Sequence, residues 1–234
     1  VLNSLFFKLA VAVVYGLVVG GTAFPLSKKL ASSRTDDPSK LAPLLKASVR
    51  VLVIVLAVGA STGVTLTADM SDAVGVGEWI RNLILLIPIF NISVIDSLVR
   101  KIPNPLLLVM IVVEAVYITY ASIKTADVTI LFGAFIGFFV GTVTCLVPSL
   151  LRIPMGAGDI KYNAVLGMCL GAVNYLFAMF FMAFSVSIAF VYLKLSKKGG
   201  MKTLIPMGPF ISLGAVVAIC LPLAQLISAL HVSI

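Results

Sequence analysis

An all-α, polytopic transmembrane helix bundle is the fold class that this sequence predicts, and three observations carry it. The 234 residues are 61% apolar and only 11% charged, where soluble domains run at about 45–50% and about 25%. Mean hydropathy is +1.17, which is more apolar surface than a soluble core hides. The apolar runs are also continuous, as in Val51–Ala57, or nearly so, as in Leu176–Phe190, which only Ser185 and Ser187 interrupt. Strands of a membrane barrel would alternate polar and apolar residues instead.

About eight spans are expected, near residues 5–25, 48–67, 79–99, 105–122, 128–150, 160–173, 174–193 and 207–229. The first is read as a span and not a cleaved signal peptide, being long for an h-region and having no charge before it. The chain begins at Val1, so an initiator residue is expected before it. The sixth and seventh segments are short for a bilayer that wants about 20 residues. Gly171-Ala172-Val173-Asn174 is expected to form a tight turn between them, with a re-entrant hairpin as the alternative.

Lys and Arg set the expected sidedness. The loops after the first, third, fifth and seventh spans hold 14 of them, and the other face holds Lys8, Arg81 and Lys124. Both termini are therefore expected outside and the basic loops in the cytoplasm. Basic loops against an anionic leaflet account for the net charge of +8 without a nucleic acid partner. The other partner expected from composition is the lipid bilayer itself. No duplicated half is visible, so an inverted-repeat transporter has no support.

Scarce residues narrow the chemistry. The one histidine is His231, and Cys145, Cys169 and Cys220 sit in apolar runs without a CxxC. No metal site and no cofactor are expected, and the cysteines read as small packing residues. An acid inside a membrane span is a functional candidate by default, and there are three: Asp96, Glu114 and Asp159. Asp96 lies one turn before Arg100-Lys101, and Asp159 lies at the start of the sixth span. The charge bias puts both at the cytoplasmic face and at similar depth. Two such carboxyl groups can share a proton, one activating a water while the other polarises a carbonyl. The bland alternative is that each snorkels beside a basic neighbour, Arg100 or Lys161. Glu114, near the middle of the fourth span, is read as a buried acid with a hydroxyl or backbone partner. Joined with Asp96 and Asp159 in a relay, it would instead suit a proton- or cation-coupled transporter.

Glycines surround the Asp159 segment. Gly156 and Gly158 just precede it, Gly133, Gly137 and Gly141 recur every fourth residue, and Gly167 and Gly171 do the same. Small residues at that spacing let membrane helices touch backbone to backbone. Gly59-Ala60-Ser61-Thr62-Gly63 matches the GxSxG pattern of rhomboid serine proteases, with His231 on the same expected face. Small-residue packing is the preferred reading of that run.

Gly156-Ala157-Gly158-Asp159-Ile160-Lys161 resembles the GxGDxK motif of type IV prepilin peptidases, the GxGD aspartic proteases of membranes. Asp96, followed by Pro103-Asn104, resembles the family's first aspartate motif, although Asn104 stands where aspartate is common. Pro206-Met207-Gly208-Pro209 resembles its late proline-glycine-proline stretch. The resemblance covers about residues 80–225. It implies an aspartic endopeptidase of the inner (cytoplasmic) membrane that removes the leader from prepilin or pseudopilin precursors. Asp96 and Asp159 would be its catalytic pair, and Gly156, Gly158, Lys161, Pro206, Gly208 and Pro209 would support the motifs. Residues 79–234 would form the peptidase core and residues 1–78 a two-helix region with a basic loop. Many family members carry CxxC pairs in that loop and also N-methylate the product. The loop from Pro25 to Arg50 has no cysteine, so cleavage without methylation is expected.

Overall fold

The computed structural model describes residues 2–35, 46–151, 155–196 and 206–223, with side chains from Leu5 onward. Its elements are seven helices, α1 (Leu2–Ser32), α2 (Ala47–Thr67), α3 (Ala73–Val99), α4 (Asn104–Thr125), α5 (Thr129–Leu150), α6 (Ala157–Leu195) and α7 (Gly208–Cys220). No strand occurs among the described residues. The first six helices are long and apolar enough to cross a bilayer, and α7 is a shorter apolar helix. Many large apolar side chains, such as Phe6, Phe132 and Phe180, stand more than half exposed. Lipid is the solvent that makes such exposure favourable.

The two short segments expected at 160–193 fall within α6. Gly171 breaks that helix with φ +70° and ψ 165°, a left-handed conformation that glycine alone adopts cheaply. The chain folds back there. Tyr175 Oη donates to Asn163 Oδ1 at 2.9 Å, yet twelve residues of unbroken helix would separate them by roughly 18 Å. The expected tight turn is therefore present, and it begins at Gly171. The last expected span, 207–229, is helical as far as Cys220, where Leu221 leaves the helical region ahead of Pro222. Residues 224–229 and His231 lie outside the described residues.

Glycine contacts decide how the helices pack. A Cβ on Gly137 would meet the Gly167 carbonyl oxygen at 2.0 Å, and one on Gly141 would meet that of Asn163 at 2.2 Å. So α5 lies backbone to backbone on the first half of α6. Gly16 and Gly20 play the same part for α1, which α2 approaches at Val58 and Ile54. Gly133, expected in the first of these ladders, faces open space, and Gly171 serves the turn.

Three contacts gather the helix ends that the lysine-rich loops join. Lys101 Nζ donates to the Arg34 carbonyl at 3.2 Å. Gly158 packs on Ile102, and Gly208 packs on Asp96. This is the basic end of the bundle. The acids at the other end act as turn and cap groups. Asp72 accepts from Gly75 N–H at 2.7 Å and starts α3. Hydrogen bonds from the backbone and hydroxyl of Thr129 hold the Asp127 carboxyl below the usual carboxylate range.

Candidate active site

Asp96 and Asp159 come to the basic end from different helices. Asp96 sits in the last turn of α3 and is 5% exposed. Asp159 sits in the first turn of α6 and is partly exposed. They are close enough that the charge of Asp96 acts on Asp159.

The Asp96 carboxyl group is held by the backbone N–H of a motif glycine, and the Asp159 carboxyl group lies against another. Gly208 N–H donates to Asp96 Oδ2 at 2.8 Å, a buried bond between residues far apart in sequence. The local sequence makes that N–H available. The first N–H groups of a helix have no partner inside it. At the start of α7, Pro209 has none to give, and Phe210 and Ile211 donate to the Met207 carbonyl. Gly208 N–H is left to turn inward, and the positive end of the helix dipole favours a carboxylate there. The residue must also be small, because a Cβ on Gly208 would lie 2.6 Å from Asp96 Cβ.

The Asp159 carboxyl group turns back toward Gly156. Gly156 caps α6 and Asp159 is its third residue, the two positions that a capping box uses. A Cβ on Gly156 would lie 2.8 Å from Asp159 Oδ2. Gly158 instead gives room to Ile102, whose Cβ would be 3.3 Å from an added Cβ. Lys161 is exposed, Pro206 and Pro209 are half-buried, and Arg100 adds its charge to the surroundings of Asp96.

A frame of hydrogen bonds surrounds the start of α6. Asn163 Nδ2 donates to the Asp159 carbonyl at 2.9 Å, and its Oδ1 accepts from Tyr175, whose hydroxyl is 2.7 Å from Thr144 Oγ1 on α5. On the opposite side, Tyr162 Oη is 2.9 Å from Ser212 Oγ on α7. Isolated Tyr, Asn, Ser and Thr in apolar helices carry no spacing signal, so nothing in the sequence marks these residues. Between α3 and α7, on the side of Asp96, lies an apolar groove of about 280 Å³, walled by Ile89, Phe90, Pro209, Phe210, Ser212 and Leu213.

Glu114 is placed elsewhere. It is 3% exposed and pairs with Arg81, Nη1 to Oε1 at 3.2 Å. Arg81 also reaches Glu78 at 3.5 Å and lies 4.4 Å over the Tyr117 ring. The hydroxyl or backbone partner expected for Glu114 is thus an arginine. Arg81, expected among the outer-face charges, is drawn into the helix, because α3 begins at Ala73. An acid and a base in adjacent apolar spans are expected to pair, which is the signal that would have found it. Arg81 and Asp96 are fifteen residues apart on α3, roughly 22 Å along its axis. The three acids therefore form no continuous relay.

Ser61 is fully buried and donates to the Ala12 carbonyl at 2.8 Å. A Cβ on Gly16 would strike its oxygen at 2.5 Å. Within the Gly59–Gly63 run, Ser61 packs on α1, Gly63 faces Cys220 of α7 and Gly59 faces open space, and the partner expected for Ser61, His231, lies outside the described residues.

No curated protein and no solved structure matches the chain. Residues 83–193 match the model of the type IV leader peptidase family. That segment contains Asp96, Gly156, Gly158 and Asp159, and it ends before the Pro206–Pro209 stretch. Over that segment, a little under half of the chain, this helical membrane protein with its two acids is similar to the type IV leader peptidase family.

Proposed function

We propose that this protein is an aspartic endopeptidase that cuts the leader from type IV prepilin or pseudopilin precursors at the cytoplasmic face of the inner membrane. Asp96 and Asp159 are its catalytic pair. The observation that carries the reading is their arrangement: two carboxyl groups from two helices, within electrostatic reach, that of Asp96 fixed by the Gly208 N–H. Fixed acceptors of this kind favour a defined position for a water between them.

The steps follow from that arrangement. The ionised carboxyl group takes a proton from the water, and the oxygen attacks the scissile carbonyl. The protonated group gives its proton to the carbonyl oxygen. Collapse of the tetrahedral intermediate breaks the C–N bond, and the departing amine takes up a proton from the pair. The groove beside Asp96 receives the apolar stretch that follows the cleavage site. Residues 79–234 act as the peptidase core, residues 1–78 flank it, and both termini face outside. The cysteine-free first loop favours cleavage without methylation.

Coupled transport through Asp96, Glu114 and Asp159 is the competing reading, and the pairing of Glu114 with Arg81 weighs against it. Co-expression with pseudopilin precursors tests the proposal. A precursor shortened on a gel, with a free N-terminus by mass spectrometry, is the expected result. An uncut precursor set, or a product heavier by one methyl group, would count against the corresponding part.

A further inference from the structure

The helices that carry the two acids, α3 and α6, both pack on α7. Their relative position therefore depends on what crosses α7. One buried polar route does so. Tyr162, three residues beyond Asp159, is fully buried, and its hydroxyl is 2.9 Å from Ser212 Oγ. Ser212, four residues beyond Gly208, is buried as well and donates to the Ile89 carbonyl at 3.3 Å. Ile89 is seven residues before Asp96 on α3.

A serine hydroxyl has one hydrogen. Since Ser212 gives its own to Ile89, Tyr162 is the donor to Ser212. The relay thus runs from the Asp159 helix through the Gly208 helix to the Asp96 helix. It ties together the three elements that supply the two carboxyl groups and the Gly208 N–H, about two helical turns or less from each.

We propose that Tyr162 and Ser212 are positioning residues that hold Asp159 at its working separation from Asp96. The proposal rests on the reading of those acids as the catalytic pair. Tyr162 is fully buried away from the groove, and Ser212, 3% exposed, lies at its wall. Each acts by fixing helix α6 against α3, and a misplacement near ~1 Å can cost about a hundredfold in rate. Tyr162→Phe keeps the ring and its packing and removes only the donor. Ser212→Ala removes the middle of the relay with one atom.

The test uses the full chain in detergent, cleaving one pseudopilin precursor, with kcat and KM measured separately and folding followed by thermal melting. Tyr15→Phe is the control, since Tyr15 Oη donates to the Leu83 carbonyl at 2.9 Å, a comparable bond between α1 and α3. Tyr162→Phe and Ser212→Ala should each lower kcat about tenfold or more with KM within about twofold, the signature of lost positioning. The double variant should be no worse than the poorer single one, because both break one relay. Tyr15→Phe should keep kcat within about twofold of the parent. If Tyr162→Phe does not fold, Ser212→Ala carries the same expectation. A kcat no lower than that of Tyr15→Phe, a loss confined to KM, or multiplying losses in the double variant would each overturn the proposal. An Asp96→Asn arm separates the two levels of argument. If Asp96→Asn is inactive while Tyr162→Phe is normal, the relay alone fails. If Asp96→Asn cleaves normally, the catalytic reading fails and takes the relay with it.

Discussion

Asp96 and Glu114 are both buried acids in apolar helices, 5% and 3% exposed, yet their partners differ in kind. Glu114 faces a guanidinium at 3.2 Å. Asp96 faces a neutral backbone N–H at 2.8 Å, with a second acid within electrostatic reach. An ion pair commits both members to their charged forms, because separating or neutralising either leaves a bare charge in a poor solvent. A carboxyl group held by an amide is fixed in place but remains free to gain or lose a proton. Burial alone therefore does not mark a working acid. The chemistry of what holds it does.

The largest expected effect tests that contrast directly. Asp96→Asn and Asp159→Asn should each lower cleavage by about a thousandfold or more, since proton transfer by a positioned acid or base is worth roughly 10²–10⁴. The double variant should be hardly worse, because groups that act as a unit are not additive. The parent's rate should rise and fall with pH, as two coupled carboxyl groups require. The measurement is cleavage of one precursor by solubilised variants. Near-normal cleavage by a well-folded Asp96→Asn would break the comparison.

Next in size is Gly208→Ala. The added methyl would sit 2.6 Å from Asp96 Cβ, where nothing flexible is available to yield. Asp96 and its N–H donor must then separate, and cleavage should fall about a hundredfold. Melting temperature should change far less than activity. A variant that cleaves normally would show that the Gly208 N–H is not needed where it stands.

The opposite half of the bundle should answer in stability instead. Removing one partner of a buried ion pair costs about 3–5 kcal/mol, so Glu114→Gln should lower the melting temperature markedly. The fraction that stays folded should keep a kcat within about twofold of the parent. An apolar pair, Arg81→Met with Glu114→Leu, should recover much of the loss. A folded Glu114→Gln with no cleavage would return Glu114 to the reaction path and revive the relay.

How much of this was legible in the sequence follows from the same contrast. Apolar runs are a long-range average, so the all-helical membrane fold could be read, down to the turn at Gly171, while the last segment is helical only as far as Cys220. The acids could be found because charge is rare in such helices. Their local supports could be found in part: Gly156 and Gly208 stood in motifs, but nothing in one dimension said that Gly208 N–H would point at Asp96. The Tyr162–Ser212–Ile89 relay and the Arg81–Glu114 pair join residues from 33 to 123 positions apart. They depend on helix rotation, which an all-round apolar helix does not reveal. Gly133 and Gly137 look alike in sequence for that reason, yet Gly133 faces open space and Gly137 the α6 backbone.

The smallest expected effect concerns Ser61, and it is the most economical check on the whole contrast. Ser61 has the nucleophile's chemistry and a GxSxG setting, and it lies deep in the bundle, as a catalytic serine would. Its hydroxyl, however, is already committed to the Ala12 carbonyl at 2.8 Å and is within 3.0 Å of the Val58 carbonyl. Both are acceptors, and neither is a base that could activate it. Both carbonyls belong to helices, whose own ladders already satisfy them. Deleting the hydroxyl therefore orphans nothing. Hydrogen bonds between membrane helices average about 0.6 kcal/mol, so Ser61→Ala should lower the melting temperature by a degree or two at most. Cleavage should be unchanged within about twofold. The measurement is the same precursor assay run beside Asp159→Asn. Should Ser61→Ala abolish cleavage while Asp159→Asn retains it, the serine would become the nucleophile, and the two acids would be no more than helix caps.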